Sequence, residues 1–492
     1  MIAAGSRERE QAVLAAVPKG LFVGGQFRDA AGQATLEVED PATGEPLAVV
    51  ADASPEDALA ALAAADEAFV TYRTMAPRER GEILRRAYEL MHERADDLAL
   101  LMTLEMGKPV AEAHGEVMYA ASYLRWYAEE AVRMDGRFGR GESGAAHVLT
   151  MRQPVGPCLF ITPWNFPLAM GARKMAPALA AGCTVVVKPA AQTPLSMLAL
   201  AGLLQEAGLP AGVVNVVPAE RAAEAMAPVI ADPRLRKLSF TGSTNVGKTL
   251  LAQASEQVLR VSMELGGNAP FLVFEDADID KAVAGALAAK MRNMGEACTA
   301  ANRFLVHEAV APEFSTRLAA AMGRLEVGRG TEASSQVGPL IDTAARDKVE
   351  ELVAEAVDGG ARVLTGGSRF GEQGYFFEPT VLEDVAPGAR LLSEEIFGPV
   401  APITTFVTDD EAIATANATE YGLVAYVFTE NVGRAFRVIE AVETGMVGFN
   451  QGFVANAGAP FGGIKHSGFG REGGPEGLSE YLSTKYVALN VD

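Results

Sequence analysis

Apolar positions along the chain change rhythm several times, and each rhythm predicts a kind of structure. Over residues 55–133 they recur at helical spacing, as in PEDALAALAAADEAF and RERGEILRRAYELMHERADDLALLMTLEMG, so this stretch reads as mostly helical. Between about 137 and 153 a glycine-rich turn leads into HVLTMRQPVG, which reads as strand. From 156 to 274 short apolar runs recur: CLFITPW, CTVVVKP, VVNVVP, KLSFTG, VSMELGG and PFLVFED. Amphipathic stretches such as LSMLALAGLLQEAG, stopping at Gly208, separate them. Strands alternating with helices predict βαβ units, a parallel sheet covered on both faces. Residues 278–440 repeat that character, with helix DIDKAVAGALAAKMRNM and strand ANRFLVHE, and predict a second α/β domain. The tail EYLSTKYVALNV alternates like an exposed edge strand in need of a partner. The N-terminal MIAAGSREREQAVLAAV reads as a short amphipathic helix broken by charge.

Parallel sheets gather ligands at the carboxyl ends of their strands, and this chain places Asn165, Lys188, Thr241–Ser243 and Glu264 there. With 492 residues, more than one core is expected. The balance of 49% hydrophobic and 21% charged residues is that of a globular protein, and the 50 glycines show no collagen-like period. The net charge of −21 disfavours nucleic acid and anionic lipid as partners. It also requires any site for a phosphate or carboxylate to carry local positive charge. Cys158, Cys183 and Cys298 form no C-x-x-C pair, and five dispersed histidines give no metal motif, so no metal is expected. Without a secretory core or a run long enough to span a bilayer, the expectation is a reduced, soluble, cytoplasmic protein.

Cys158 and Cys183 lie inside apolar strands and read as small core residues. Cys298, in NMGEACTAANRFLV, differs through its companions. Glu264 ends an apolar strand and leads into two glycines, a turn that a ligand can approach closely. Asn165 carries an amide able to donate to an oxyanion, on a loop stiffened by Pro163 and Pro167. The glycine-dense PFGGIKHSGFGREGG at 460–474 has no explanation in core packing. A rival signal is Gly242–Thr249, which fits G-x-x-x-x-G-K-[ST], with FLVFED ending at Asp276 as a Walker B mimic. A P-loop NTPase, however, leaves Asn165, Glu264 and Cys298 without a role.

PWNFP, ELGGNAP, the Gly-x-x-Cys around Cys298, EEIFGP at 394–399 and PFGG at 460–463 occur in the order and spacing of the aldehyde dehydrogenase superfamily, which the chain resembles from about residue 20 onward. The resemblance implies a Rossmann-like parallel-sheet cofactor domain (1–134 and 155–263), a second α/β catalytic domain (264–466) and a small β oligomerisation extension (135–154 and 467–492). It implies Cys298 as the nucleophile that forms a thiohemiacetal and then a thioester. Asn165 and the Cys298 N–H would stabilise the oxyanion, Glu264 would be the deacylating base, and Lys174, nine residues after Asn165, would lie beside the site. The deacylating glutamate sets the chain apart from CoA-acylating relatives. The implied cofactor residues are Thr162, Pro163, Trp164, Lys188, Ala191, Gly242, Ser243, Leu265, Glu395 and Phe397.

Within the superfamily the similarity is to succinate-semialdehyde dehydrogenases, through RKLSFTGSTNVGK, SMELGGNAPFLVFEDADIDKA and GREGGPEGLSEYLSTKY. That likeness implies a carboxylate clamp of Arg173 and Arg292, with Ala455 and Phe461 also at the substrate. Ala455 replaces the usual serine, and Gln451 and Phe453 are unusual, which opens the pocket to glutarate semialdehyde or another small aldehyde. Ala300 removes a local disulfide switch with Cys298. Ala191 stands where NAD-specific relatives carry a glutamate for the ribose 2′-OH, so NADP, or dual use with NAD, is expected. A homodimer or homotetramer is the expected assembly.

Overall fold

The computed structural model describes residues 6–490, so the outermost residues of the domain map above lie outside the described span. The N-terminal segment contains the helix Arg7–Ala16, with Ser6 as its N-cap. Residues 55–133 form four helices, Pro55–Tyr72, Pro77–Glu93, Ala95–Met106 and Val110–Glu130. The first of these starts in a capping box of Ser54 and Asp57, a device that contributes about 1 kcal/mol.

Five parallel strands build the centre of an eight-stranded sheet, in spatial order Val214–Val216, Val185–Lys188, Cys158–Ile161, Lys237–Thr241 and Arg260–Glu264. Their apolar runs are continuous rather than alternating because both faces are covered. Cys158 and Phe160 pack with the helices Ala169–Ala181 and Leu195–Glu206. Leu159, Val186 and Leu238 join Pro55–Tyr72 and Ala222–Ala231 on the other face. Strand order reverses between Cys158–Ile161 and Lys237–Thr241, and a crevice opens at such a switch point.

A second sheet has seven strands, in the order Arg362–Thr365, Thr380–Glu383, Val400–Phe406, Ala301–His307, Ala269–Val273, Val424–Phe428 and Met446–Phe449. Only its first pair is antiparallel. The third sheet is antiparallel, with Arg137–Arg140 and Leu482–Leu489 flanking His147–Pro154. The expected tail strand is therefore paired on one side, and its outer edge is open. The segment 467–492 divides: Gly468–Phe469 pairs with Met263 and Glu264 in the first sheet, while Leu482–Leu489 belongs to the third. Among the described residues no helix is long and apolar enough to cross a membrane.

Candidate active site

The switch-point crevice deepens into a cavity of about 270 Å³ where the first two sheets meet. Pro163, Trp164 and Asn165 enter it from the loop after Cys158–Ile161, and Gly242 and Ser243 from the loop after Lys237–Thr241. Glu264 ends the next strand, Leu265 and Gly266 follow it, and Cys298, Glu395 and Phe397 come from the second α/β unit. Residues as far apart in sequence as Pro163 and Phe397 are thus gathered by the carboxyl ends of parallel strands.

The nucleophile loop is strained and held. After the helix Ile279–Met291 the chain turns through Asn293 (φ 54°), Met294 (φ 55°) and Gly295 (φ 81°). Left-handed backbone costs a non-glycine residue about 1 kcal/mol or more. Here the Asn293 N–H donates to Glu112 at 2.7 Å, and its side-chain amide donates to the carbonyls of Asn165 (3.0 Å) and Glu296 (2.9 Å). The Asn165 amide donates to that same Glu296 carbonyl at 2.9 Å, which leaves its second hydrogen free. Gly267 is required by close approach, since a Cβ there would meet the Cys298 carbonyl oxygen at 2.4 Å. Burial pushes the Cys298 thiol up to about 12; Arg173 and Arg292 oppose this, whereas Glu264 and Glu395 add to it. The resting sulfur is a neutral thiol that needs a base.

Glu264 is buried, and neither carboxylate oxygen has a hydrogen-bond partner. Burial and then the charge of Glu472 push it up to about 8, against Arg173, Lys174 and Arg471. An unpartnered buried carboxylate carries a desolvation penalty that a bound proton or water removes. Glu472 was not singled out in the sequence; the only signal was a charge amid the glycines of GREGG. It is a buried acceptor for two neighbouring cations, Arg173 and Lys174. Burial raises Glu472, but these two charges outweigh it and hold the carboxyl below its usual value. Lys174 also donates to Ser239 at 3.1 Å and is fully buried. Arg173 lies 4.2 Å over the Phe461 ring, and its buried Nη2 lacks a hydrogen-bond partner. The two expected clamp arginines are therefore unlike each other. Arg173 is committed to Glu472, and Phe461 packs beneath it. Arg292 makes no hydrogen bond or ion pair among the described residues. Its guanidinium is held by the rings of Phe166 (4.6 Å), Phe453 (4.9 Å) and Tyr119 (5.7 Å). Ala455 is half-buried two residues beyond Phe453.

On the opposite side of the cavity, Ser243 caps the helix Thr244–Ser255 by accepting from the Val246 N–H at 3.4 Å. A helix N-terminus facing a cavity is suited to an anion. Three glycines keep the walls close: a Cβ on Gly242 would meet Phe240 at 2.5 Å, on Gly247 Leu265 at 2.4 Å, and on Gly266 the Glu395 carboxylate at 3.0 Å. Glu395 accepts from the Gly267 N–H at 3.1 Å, and burial pushes it up to about 7. Phe397, at φ 56°, stands edge-on to Trp164 at 5.4 Å. Thr162 and Lys188 lie just outside the cavity lining: the Thr162 N–H donates to the Lys188 carbonyl at 3.1 Å. Burial lowers the Lys188 ammonium to about 8, with Asp52 opposing. Ala191 lines a separate cavity of about 170 Å³ among Glu37, Glu39, Glu105, Glu220 and Asp342. These features fit a dinucleotide, whose phosphate the start of the helix Thr244–Ser255 would hold and whose ring would lie among Phe397, Glu395 and Cys298.

The P-loop pattern has no structural counterpart. Residues 244–249 are helix rather than a phosphate-cradling loop, Lys248 is exposed, and Asp276 pairs with Arg434 and Thr429 in the second sheet region.

Comparison with known proteins shows the family. The family model described as "Aldehyde dehydrogenase family" matches residues 27–487. A succinate-semialdehyde dehydrogenase of Paenarthrobacter nicotinovorans is 60% identical over 443 residues, 90% of this chain and 98% of its own. A glutarate-semialdehyde dehydrogenase of Pseudomonas putida and an NADP(+) succinate-semialdehyde dehydrogenase of Escherichia coli are each 48% identical over 470 residues, 96% of this chain and 97% of theirs. The crystal structure of succinate-semialdehyde dehydrogenase from Burkholderia pseudomallei superposes with a TM-score of 0.95 at 48% identity, covering 96% of this chain and 98% of that one.

Proposed function

The chain belongs to the aldehyde dehydrogenase family, and from that premise we propose that it oxidises a short aldehyde bearing a terminal carboxylate, succinate semialdehyde first. The observation that carries this reading is Arg292, a guanidinium held only by aromatic faces beside the Cys298 loop in a protein of net charge −21. Its donors remain free for a carboxylate, a fork that pairs with two oxygens at once.

The chemistry follows from the buried groups. Glu264, whose proton affinity is raised, takes the proton of the Cys298 thiol, and the sulfur adds to the aldehyde carbon. The free Asn165 N–H and the Cys298 backbone N–H hold the oxyanion of the thiohemiacetal. A bound nicotinamide supplies the acceptor for the hydride that leaves this carbon, which makes the adduct a thioester. Glu264 passes the thiol proton to solvent and then removes a proton from water as the water attacks the acyl carbon; the C–S bond breaks, the sulfur takes this proton back from Glu264, and the carboxylic acid departs. Arg173 and Lys174, held by Glu472, limit the rise in the proton affinity of Glu264, to which the charge of Glu472 itself adds.

The enzyme uses a nicotinamide dinucleotide, and the preference we infer is NADP⁺. Ala191 offers no carboxylate to a 2′-phosphate, and one of the relatives above is named for NADP(+). The acidic cavity beside Ala191 works in the other direction, so the preference is one of degree. Glutarate semialdehyde is the second substrate in line, because Ala455 offers no serine hydroxyl to the carboxylate and a relative is named for that aldehyde. A panel of succinate semialdehyde, glutarate semialdehyde, acetaldehyde and benzaldehyde with each cofactor tests the assignment at the NAD(P)H absorbance. Greater kcat/KM for acetaldehyde or benzaldehyde than for both semialdehydes overturns it. The open edges of the antiparallel sheet, with Phe138 and Tyr486 exposed, favour a homo-oligomer.

A further inference from the structure

Lys108 and Glu116 form an ion pair shut away from water, each side chain 1% exposed. Lys108 lies in the short connection between Ala95–Met106 and Val110–Glu130, and Glu116 lies in the second turn of the latter helix. Such a pair is weak evidence for stability, because desolvation of two charges offsets their attraction. What else the two side chains hold is therefore the informative feature. Lys108 Nζ donates to the backbone carbonyl of Asn165 at 2.8 Å, and the ammonium lies 4.2 Å from the centre of the Phe166 ring. Glu116 Oε1 accepts the N–H groups of Leu168 and Ala169, both at 3.0 Å, at the start of the helix Ala169–Ala181. The pair thus grips the loop at four points within five residues.

Its own mounting has little slack. The Val110 N–H donates to the Gly330 carbonyl at 3.0 Å. A Cβ on Gly330 would meet the Lys108 carbonyl at 2.5 Å, and one on Gly338 the Gly107 carbonyl at 2.2 Å, so backbone rests on backbone. Downstream, the Asn165 amide must direct one hydrogen to the Glu296 carbonyl and the other into the cavity. Its direction is fixed by where its backbone sits, and Lys108 shares that carbonyl with Asn293.

We propose that Lys108, locked by Glu116, is the positioning residue of the oxyanion-binding amide: it holds the Asn165 backbone so that one side-chain N–H points at the carbon–oxygen bond being attacked. The inference rests on Asn165 as oxyanion donor. Displacing a reacting group by about 1 Å costs about 100-fold in rate, and removing an oxyanion donor about 100- to 1000-fold.

A cycle of Lys108→Met, Asn165→Ala and the double variant in the full chain tests it. Single-turnover NAD(P)H formation from propanal reports the chemical step without involving Arg292, and quenching of protein fluorescence by NADPH reports an intact fold. Lys108→Met is expected to slow that step about 10- to 100-fold with NADPH binding unchanged, yet by less than about 3-fold once Asn165 is alanine. An equal loss in both backgrounds, or a loss in neither, overturns the proposal, since a merely structural role would be additive. If Asn165→Ala alone keeps the wild-type rate, the oxyanion assignment itself has failed. Should Lys108→Met lose NADPH binding, the same cycle with Glu116→Gln, which keeps an oxygen for the Leu168 and Ala169 N–H groups, decides by the same criterion.

Discussion

Replacing Arg292 by methionine separates recognition of the carboxylate from the chemistry at the sulfur. Methionine keeps an apolar stem against Phe166, Phe453 and Tyr119 and removes only the charged fork. A hydrogen-bonded ion pair of this kind contributes about 1.5–3 kcal/mol, and Arg292 is only half-buried, so the lower part of that range applies. About 2 kcal/mol corresponds to about 30-fold in kcat/KM. For succinate semialdehyde the loss is expected mainly as a higher KM; for propanal, which has no carboxylate, kcat/KM stays within about 3-fold. Arg173→Met serves as the contrast. Its partner is Glu472, so its removal leaves the two carboxylates Glu472 and Glu264 with one neighbouring cation fewer. Both aldehydes should then suffer alike, through kcat. Steady-state kinetics with the two aldehydes at saturating NADP⁺ supply the comparison. Equal losses for propanal and succinate semialdehyde in Arg292→Met would refute the assignment of Arg292 as carboxylate anchor.

Three further outcomes are expected. Because Glu264 is pushed up to about 8, its base form grows as pH rises; deacylation should climb about tenfold per unit below pH 8 and level off above it, and Glu264→Gln, which removes the base for both the thiol and the water, should slow the first NADPH in a stopped-flow trace as well as the turnovers after it. Ala191→Glu adds an acceptor for the ribose 2′-OH and a charge against a 2′-phosphate, so the ratio of kcat/KM for NADP⁺ over NAD⁺ should fall at least about tenfold; an unchanged ratio would place the 2′-position elsewhere. Gly267→Ala forces a Cβ to within 2.4 Å of the Cys298 carbonyl, and the shifted sulfur should cost at least about tenfold in kcat while NADPH binding, read by fluorescence, is retained.

The order of elements was legible because it depends on local periodicity. Helical spacing over 55–133 corresponds to four helices, and the six short apolar runs over 156–274 to five parallel strands of the first sheet and Ala269–Val273 of the second. A parallel sheet with covered faces leaves its carboxyl edge for a ligand, so the positions of Asn165, Gly242, Ser243 and Glu264 at that edge follow from the strand pattern. The motif around Cys298 was likewise local. Sequence did not separate Gly242–Thr249 from a P-loop, because the pattern records residue types and not whether they lie in a loop or a helix. Nor did it distinguish Arg173 from Arg292, since their difference resides in Glu472, 299 positions from Arg173. The same holds for Lys108 and Glu116, which act on Asn165 across 57 and on Leu168 across 52 positions. Periodicity fixes which face of an element is buried. Which charge meets which is decided only when separate elements pack, because the energy of a buried ion depends on neighbours within a few ångströms and not on its place along the chain.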